Sequence, residues 1–222
     1  MTRPALPHDP EPTLPFAASS RVLVLAIAAA VAILGFLSLI GLAAGYRPLV
    51  FVATGGGPLA PLAALGLIAG AGTLWLRSKS APEASGGSAR ASLAHILTAL
   101  LIIGGLAVFV LRLVHVLPSP HGQLPTLSLG FALLGLAFAL SGLRAKGRRI
   151  WLQVPIFPVF WLSLLVVLAR LYGIRNVSTY FELILFPVQT APPLCALATG
   201  ILLLHPREGV AGIITSRFSG GV

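Results

Sequence analysis

The chain has 222 residues, of which 57% are hydrophobic and 9% are charged, and its mean hydropathy is +0.98. A soluble domain carries about 25% charged residues, because its surface must be hydrated. This composition excludes an ordinary soluble enzyme and a disordered chain, and the single cysteine excludes a disulfide-stabilised scaffold. The formal net charge of +10 does not indicate nucleic-acid binding, because the cations fall in short gaps between apolar runs.

Residues 1–20 contain five prolines and predict an extended cytoplasmic tail, because each proline removes a helical N–H and restricts the residue before it. The apolar run that follows, residues 22–45, is too long for the hydrophobic region of a signal peptide. It therefore predicts a first membrane helix that is not cleaved.

Six apolar segments follow one another, each near the roughly 20 residues that cross a hydrocarbon core. Because backbone polar groups in lipid must be bonded internally, they predict helices. The sequence thus predicts an all-α, polytopic membrane protein with a transmembrane domain at 21–204 and a cytoplasmic segment at 205–222. Its three helical hairpins cover about 22–76, 91–143 and 150–204. The six segments lie at about 22–45, 57–76, 91–117, 124–143, 150–172 and 180–204.

Prolines interrupt the last segment at Pro187, Pro192 and Pro193. Such prolines are tolerated in a spanning helix where neighbouring groups accept the freed carbonyls. We therefore expect a kinked sixth helix.

Basic residues are concentrated in residues 1–21, 77–90, 143–149 and 205–222, and the alternate connections contain fewer of them. Cytoplasmic loops carry an excess of lysine and arginine. With six spans, this alternation predicts that both termini are cytoplasmic. We expect a multi-pass protein of the cell inner (plasma) membrane.

A short pattern recurs at the start of the second helix of each hairpin. The stretch from Pro61 to Gly66 resembles that from Pro125 to Gly130, and Pro193 to Ala198 is a third version. Proline suits the first turn of a helix, and a small residue one turn later lets another helix approach closely. Parallel hairpin repeats are one reading, and chance similarity among helices rich in Leu, Ala and Gly is the other. The predicted helix-packing residues are Gly66, Gly70, Gly130 and Gly135.

These proline-led helices, at 61–76 and 125–142, and the segment 205–222 resemble the amino-terminal membrane region of bacterial multidomain sensor proteins. In that family a similar bundle precedes PAS, histidine-kinase or diguanylate-cyclase domains. The resemblance implies a non-enzymatic input module that passes a conformational signal to a partner or a downstream domain.

Ionisable groups near the membrane are candidate functional residues, because charge in hydrocarbon is costly. Glu182 lies near the predicted outer end of its segment, and Arg112, Arg170 and Arg175 are predicted at the same level. We expect Glu182 to pair with one of these arginines in an outward-facing polar pocket. The alternative is that all four side chains extend into the headgroups.

Two histidines, His95 and His205, fall near the predicted cytoplasmic side on different helices, where a haem-type pair is geometrically conceivable. Interfacial histidines more often act as amphipathic anchors, so no metal and no cofactor is predicted. No catalytic constellation is found either, and the chain is not expected to be an enzyme.

Three functions follow from these patterns. The first is the sensor-like input module, with the lipid bilayer and a protein partner or a second copy as its surroundings. The second is a small structural or accessory subunit of a larger membrane complex, used for assembly or for lipid or pigment packing. A transporter is the third and the least favoured, because carriers show polar groups at mid-membrane.

Overall fold

The computed structural model describes residues 15–44, 61–79, 88–114, 125–142, 148–174 and 189–204. Within these ranges the chain forms six α-helices and no β-strand. The all-helical class predicted from the sequence is confirmed for this part of the chain. The helices are α1 (Pro15–Ala43), α2 (Pro61–Lys79), α3 (Ser88–Leu113), α4 (Pro125–Gly142), α5 (Arg148–Leu171) and α6 (Ala191–Leu204).

Prolines stand at the beginning of four of these helices. Pro15, Pro61 and Pro125 are the first residues of α1, α2 and α4, and Pro192 and Pro193 lie in the first turn of α6. A first-turn proline costs no hydrogen bond, because the N–H it lacks would have no partner inside the helix. The proline pattern therefore marks where these helices begin.

Two predicted boundaries differ from the structure. Helix α1 begins at Pro15, six residues inside the predicted extended tail of residues 1–20, because the stretch after Pro15 contains no further proline. Helix α6 begins at Ala191, after a turn at Gln189 and Thr190. Pro192 and Pro193 therefore start this helix rather than kink it, whereas Pro187 lies outside the described residues.

Helix α5 contains two internal prolines, Pro155 and Pro158, and ends in a glycine cap. Gly173 has a φ of 73°, a left-handed conformation that glycine adopts without steric cost. The Gly173 N–H donates to the Arg170 carbonyl (3.1 Å) and the Ile174 N–H to the Ala169 carbonyl (3.0 Å). These two hydrogen bonds form a Schellman motif, which satisfies carbonyls at the helix end.

The six helices form two sets with different surroundings. We call α2, α4 and α6 the inner helices, because they contact one another, and α1, α3 and α5 the outer helices. Each outer helix packs against two inner ones: α1 on α2 and α6, α3 on α4 and α2, and α5 on α6 and α4. The packing order is therefore cyclic. The largest fully buried side chains of the inner helices are Leu67, Leu74, Leu134, Phe138, Leu194, Leu197 and Ile201.

The inner helices run in the same direction. A Cβ built on Gly66 would lie 2.8 Å from Phe131, and one built on Gly70 would lie 3.0 Å from Leu197 and 3.4 Å from Leu134. One built on Gly200 would lie 2.6 Å from Leu74. Since residue numbers increase together along these contacts, α4 and α6 are both parallel to α2.

The outer helices are the longer and more exposed set. Three segments are long and apolar enough to cross a membrane, and all three belong to outer helices: Ser20–Ala43, Ala89–Leu111 and Trp151–Leu171. The apolar inner segments Thr126–Gly142 and Ala191–Leu204 are shorter. This pattern places long apolar helices around a core of shorter ones.

Candidate functional site

Arg77 provides a charged contact between two inner helices. It lies half-buried in the last turn of α2, and its Nη1 donates a hydrogen bond of 2.9 Å to Ser141 Oγ near the end of α4. Ser141 Oγ in turn donates to the Phe138 carbonyl (2.7 Å). We call Arg77 and Ser141 the arginine contact.

The guanidinium lies directly on the end of α4. A Cβ built on Gly142, the last residue of α4, would lie 2.9 Å from Arg77 Nη1. The carbonyl end of a helix carries partial negative charge, so a cation there is favoured. Because Gly142 has no side chain, the planar guanidinium of Arg77 can approach the end of α4.

The guanidinium of Arg77 is only partly hydrogen-bonded. The Arg77 Nε is buried and has no hydrogen-bond partner among the described residues. The group stays charged because arginine is so strongly basic. A buried donor without a partner is destabilising, so the arginine contact is a weak point in the packing of α2 against α4.

A second basic side chain at this end of α2 faces outward. Lys79 Nζ lies 4.2 Å from the centroid of the Trp75 ring, and both side chains are exposed. A cation over an indole face is an attractive contact, and both groups are typical of a membrane–water interface. The end of α2 thus carries one inward-facing and one outward-facing cation.

A groove between α2, α3 and α4 is the second candidate site. Its volume is about 160 Å³, and we call it the three-helix groove. It lies toward the beginning of α2 and α4, away from the arginine contact. Its lining is almost entirely apolar: Leu62, Ala63, Leu65, Gly66, Leu100, Leu101, Gly104, Gly105, Val108, Leu127, Ser128 and Phe131.

The predicted packing glycines fall on the inner helices. Gly66 and Gly70 face Phe131 and Leu197, as described above, and Gly130 is buried on α4. A Cβ on Gly135 would lie 2.9 Å from the Ile102 backbone nitrogen. At Gly66, Gly70 and Gly135 the missing side chain thus allows a neighbouring helix to approach.

The predicted ion-pair pocket lies largely outside the described residues. Glu182 and Arg175 lie outside them, and Arg112 is on the last turn of α3 with a side chain that is not described. Arg170 lies exposed in the last turn of α5. The pairing of Glu182 with an arginine therefore stays a prediction.

The predicted histidine pair also stays a prediction. His95 is exposed on α3, and His205 lies outside the described residues. No group of three His, Cys, Asp or Glu side chains within the described ranges could hold a metal ion.

Three buried hydroxyls donate within their own helices. Ser38, Thr73 and Thr98 each donate to the carbonyl four residues earlier, at 2.9, 2.8 and 2.7 Å. Such local bonds allow a polar side chain to be buried without a partner on another helix. The arginine contact differs, because its bond joins two helices.

The arginine contact is not predicted from the sequence, because the basic residues at 77–90 indicate only the orientation in the membrane. The predicted set of packing glycines also lacks Gly35 and Gly200, whose Cβ positions would lie 2.7 Å from Ile68 and 2.6 Å from Leu74. The signal for Arg77 was its place directly after the apolar segment 57–76, together with a serine and a glycine at the end of the segment 124–143.

No protein-family model, no curated protein and no solved structure matches this chain.

Proposed function

We propose that this chain is a non-enzymatic, six-helix integral membrane module that passes a conformational change to a partner or downstream domain, as the resemblance to bacterial sensor input regions implies. The arginine contact carries the proposal. It is a hydrogen bond from a charged side chain of α2 to α4. It lies at the end of the bundle at which the basic segments 77–90 and 143–149 follow these two helices.

Membrane insertion is supported by the surfaces of the outer helices. Large apolar side chains there are well exposed, such as Ile103 on α3 at 67% and Trp161 on α5 at 57%. A soluble monomer rarely exposes apolar surface of this extent, whereas hydrocarbon would cover it at no cost. In the proposed arrangement all six helices cross the bilayer as three hairpins, the inner helices shielded by the outer ones.

The orientation is supported by charge. Because α2 and α4 are parallel, their basic connections at 77–90 and 143–149 leave the bundle at the same end. An excess of cations marks the cytoplasmic side, so in the proposed topology this end and both termini are cytoplasmic, and the membrane is an inner (plasma) membrane.

A conformational role is supported by the incomplete bonding of Arg77. A two-state element needs states that differ by only a few kcal/mol, and an interhelical bond to a charged group contributes about 1.5–3 kcal/mol. Release of Arg77 from Ser141 would give its Nε access to water or headgroups and would free the end of α2 from α4. A stimulus that shifts this balance would move the connections that follow.

The experiment measures the distance between the end of α2 and the second half of α4. Spin labels are placed at the exposed positions Lys79 and Leu136 in a Cys195→Ala background, with the protein in lipid nanodiscs. We expect Ser141→Ala to add a second, longer separation to the distance distribution. The matched control is Ser38→Ala, which removes a buried hydroxyl bonded within its own helix. A distribution that Ser141→Ala leaves unchanged would contradict the proposal.

The accessory-subunit function is favoured by a different observation. In the apolar stretch of α3 that is long enough to cross a membrane, 17% of residues are buried. The corresponding values are 28% in α1 and 33% in α5. This open face is where another chain of a complex would pack. Purification in mild detergent separates the two functions, because a subunit is recovered with a fixed set of chains at constant ratio.

A further inference from the structure

The three-helix groove has the position and the chemistry of a hydrocarbon-binding site. We propose that it binds a segment of one acyl chain of a bilayer lipid. The inference rests on the membrane insertion proposed above, and not on signalling.

The rim and the walls of the groove supply no polar recognition. Leu62, Leu65 and Leu100 at the rim are 52%, 50% and 56% exposed, so the groove opens onto the apolar outside of the bundle. Ser128, the one lining residue with a polar side chain, is buried and already has an interaction partner. An occupant held by these walls is therefore hydrocarbon.

The size of the groove favours a chain over a helix. An apolar protein cavity of about 150 Å³ takes up one benzene molecule, so about 160 Å³ accommodates a segment of similar carbon count. An α-helix with its side chains is about 10–12 Å across and does not enter such a space. The remainder of the acyl chain would lie along the exposed leucines of the rim.

Two adjacent glycines on α3 differ in whether the packing of the bundle requires them. A Cβ on Gly105 would lie 2.7 Å from both the Ser128 carbonyl oxygen and the Ala132 nitrogen, so close packing on α4 requires this glycine. A Cβ on Gly104 would have nothing within 4 Å. No contact within the described bundle requires Gly104, and a glycine weakens a helix interior.

The neighbours of Gly104 argue against a second copy of the chain as the occupant. Close helix pairs in membranes use small residues four positions apart. On this face Gly104 is flanked at that spacing by Leu100 and Val108. Gly104 therefore forms a recess between two large side chains, and such a recess fits a flexible acyl chain better than a helix backbone.

The experiment uses the full chain in nanodiscs that contain phosphatidylcholine with a photoreactive diazirine in one acyl chain. After irradiation, labelled peptides are mapped by mass spectrometry. We expect labelling of the buried groove walls Ala63, Leu101 and Phe131, which bulk lipid does not reach, and its loss from these residues in Gly104→Leu, whose side chain fills the groove. Gly104→Leu should fold normally, because its Cβ meets nothing, and an unchanged thermal transition checks this.

The matched control is Ala107→Leu, which adds a similar side chain to an exposed position of the same helix outside the groove. It should leave the labelling of the groove unchanged. Equal labelling of the groove in Gly104→Leu and the unmodified chain would overturn the proposal, as would crosslinks between two copies at 100–108. Absence of labelling everywhere, including the exposed faces of α1 and α5, would instead contradict membrane insertion itself.

Discussion

The inner and outer helices of this bundle are both apolar, but they use small residues differently. On the inner helices, glycines such as Gly66, Gly70 and Gly135 lie against side chains or backbone of neighbouring helices. On the outer helix α3, Gly105 does the same, whereas the adjacent Gly104 faces open space. The comparison teaches that apolar composition alone does not define a packed interior: the position of each small residue relative to its neighbours does.

The largest expected difference is between Gly105, which packs against α4, and Gly104, which faces open space. Gly105→Ala should lower the free energy of unfolding by about 3 kcal/mol, the upper part of the usual range for overpacking, because its Cβ meets backbone atoms that cannot rotate away. Unfolding by SDS in detergent micelles, followed by tryptophan fluorescence, measures the change.

Gly104→Ala is the control for this change. It should raise the free energy of unfolding by about 0.5–1 kcal/mol, since alanine is the better helix residue. Equal destabilisation by the two substitutions would show that α3 does not pack on α4 through Gly105.

Two leucines on one inner helix test the difference between buried and exposed positions. Leu134 is 0% exposed and Leu136 is 42% exposed on α4. Leu134→Ala should cost about 2 kcal/mol, the lower end of the range for soluble cores, because a bilayer also solvates leucine in the unfolded state. Leu136→Ala should cost clearly less in the same SDS titration, and the reverse order would place the core on the wrong face of α4.

The arginine contact should give a smaller effect. Ser141→Ala should lower the free energy of unfolding by about 1.5 kcal/mol, the lower value for a bond to a charged group, because the guanidinium loses its partner on α4. Ser38→Ala, which removes a bond within one helix, should stay within about 0.5 kcal/mol of the unmodified chain. If both serines behave alike, Arg77 does not join α2 to α4.

The outer face of α3 should give the smallest effect. Ile103, which is 67% exposed, should tolerate replacement by alanine within about 0.5 kcal/mol, because in the proposed membrane arrangement lipid contacts either side chain. Stability of the purified chain in nanodiscs measures this. A loss of co-purifying chains in Ile103→Ala would instead identify α3 as an assembly surface and favour the accessory-subunit function.

Much of the helical layout could be predicted from the sequence. The apolar segments gave the positions of the helices, and the prolines at residues 61 and 125 gave their starting points, because both signals depend on neighbouring residues along the chain. The two ends of the bundle were less predictable. Pro15 and Pro192 occur in proline-rich stretches, where the sequence does not show which proline begins the helix.

The division into inner and outer helices and the sites between them could not be predicted. A glycine in an apolar segment has the same local pattern whether it faces a helix, as Gly105 does, or open space, as Gly104 does. Arg77 and Ser141 are 64 positions apart, and their contact depends on the parallel register of α2 and α4. Tertiary packing decides both features.

The side of the membrane on which each helix ends tests the central claim most directly. Single cysteines at Ala44, Lys79 and Trp151, all exposed, are placed in the Cys195→Ala background and treated with a membrane-impermeant thiol reagent in sealed vesicles of each orientation. The account predicts that position 79 at the end of α2 and position 151 at the start of α5 react from the cytoplasmic side, and position 44 from the opposite side. Reaction of positions 79 and 151 from opposite sides, or of all three from the same side, would contradict it.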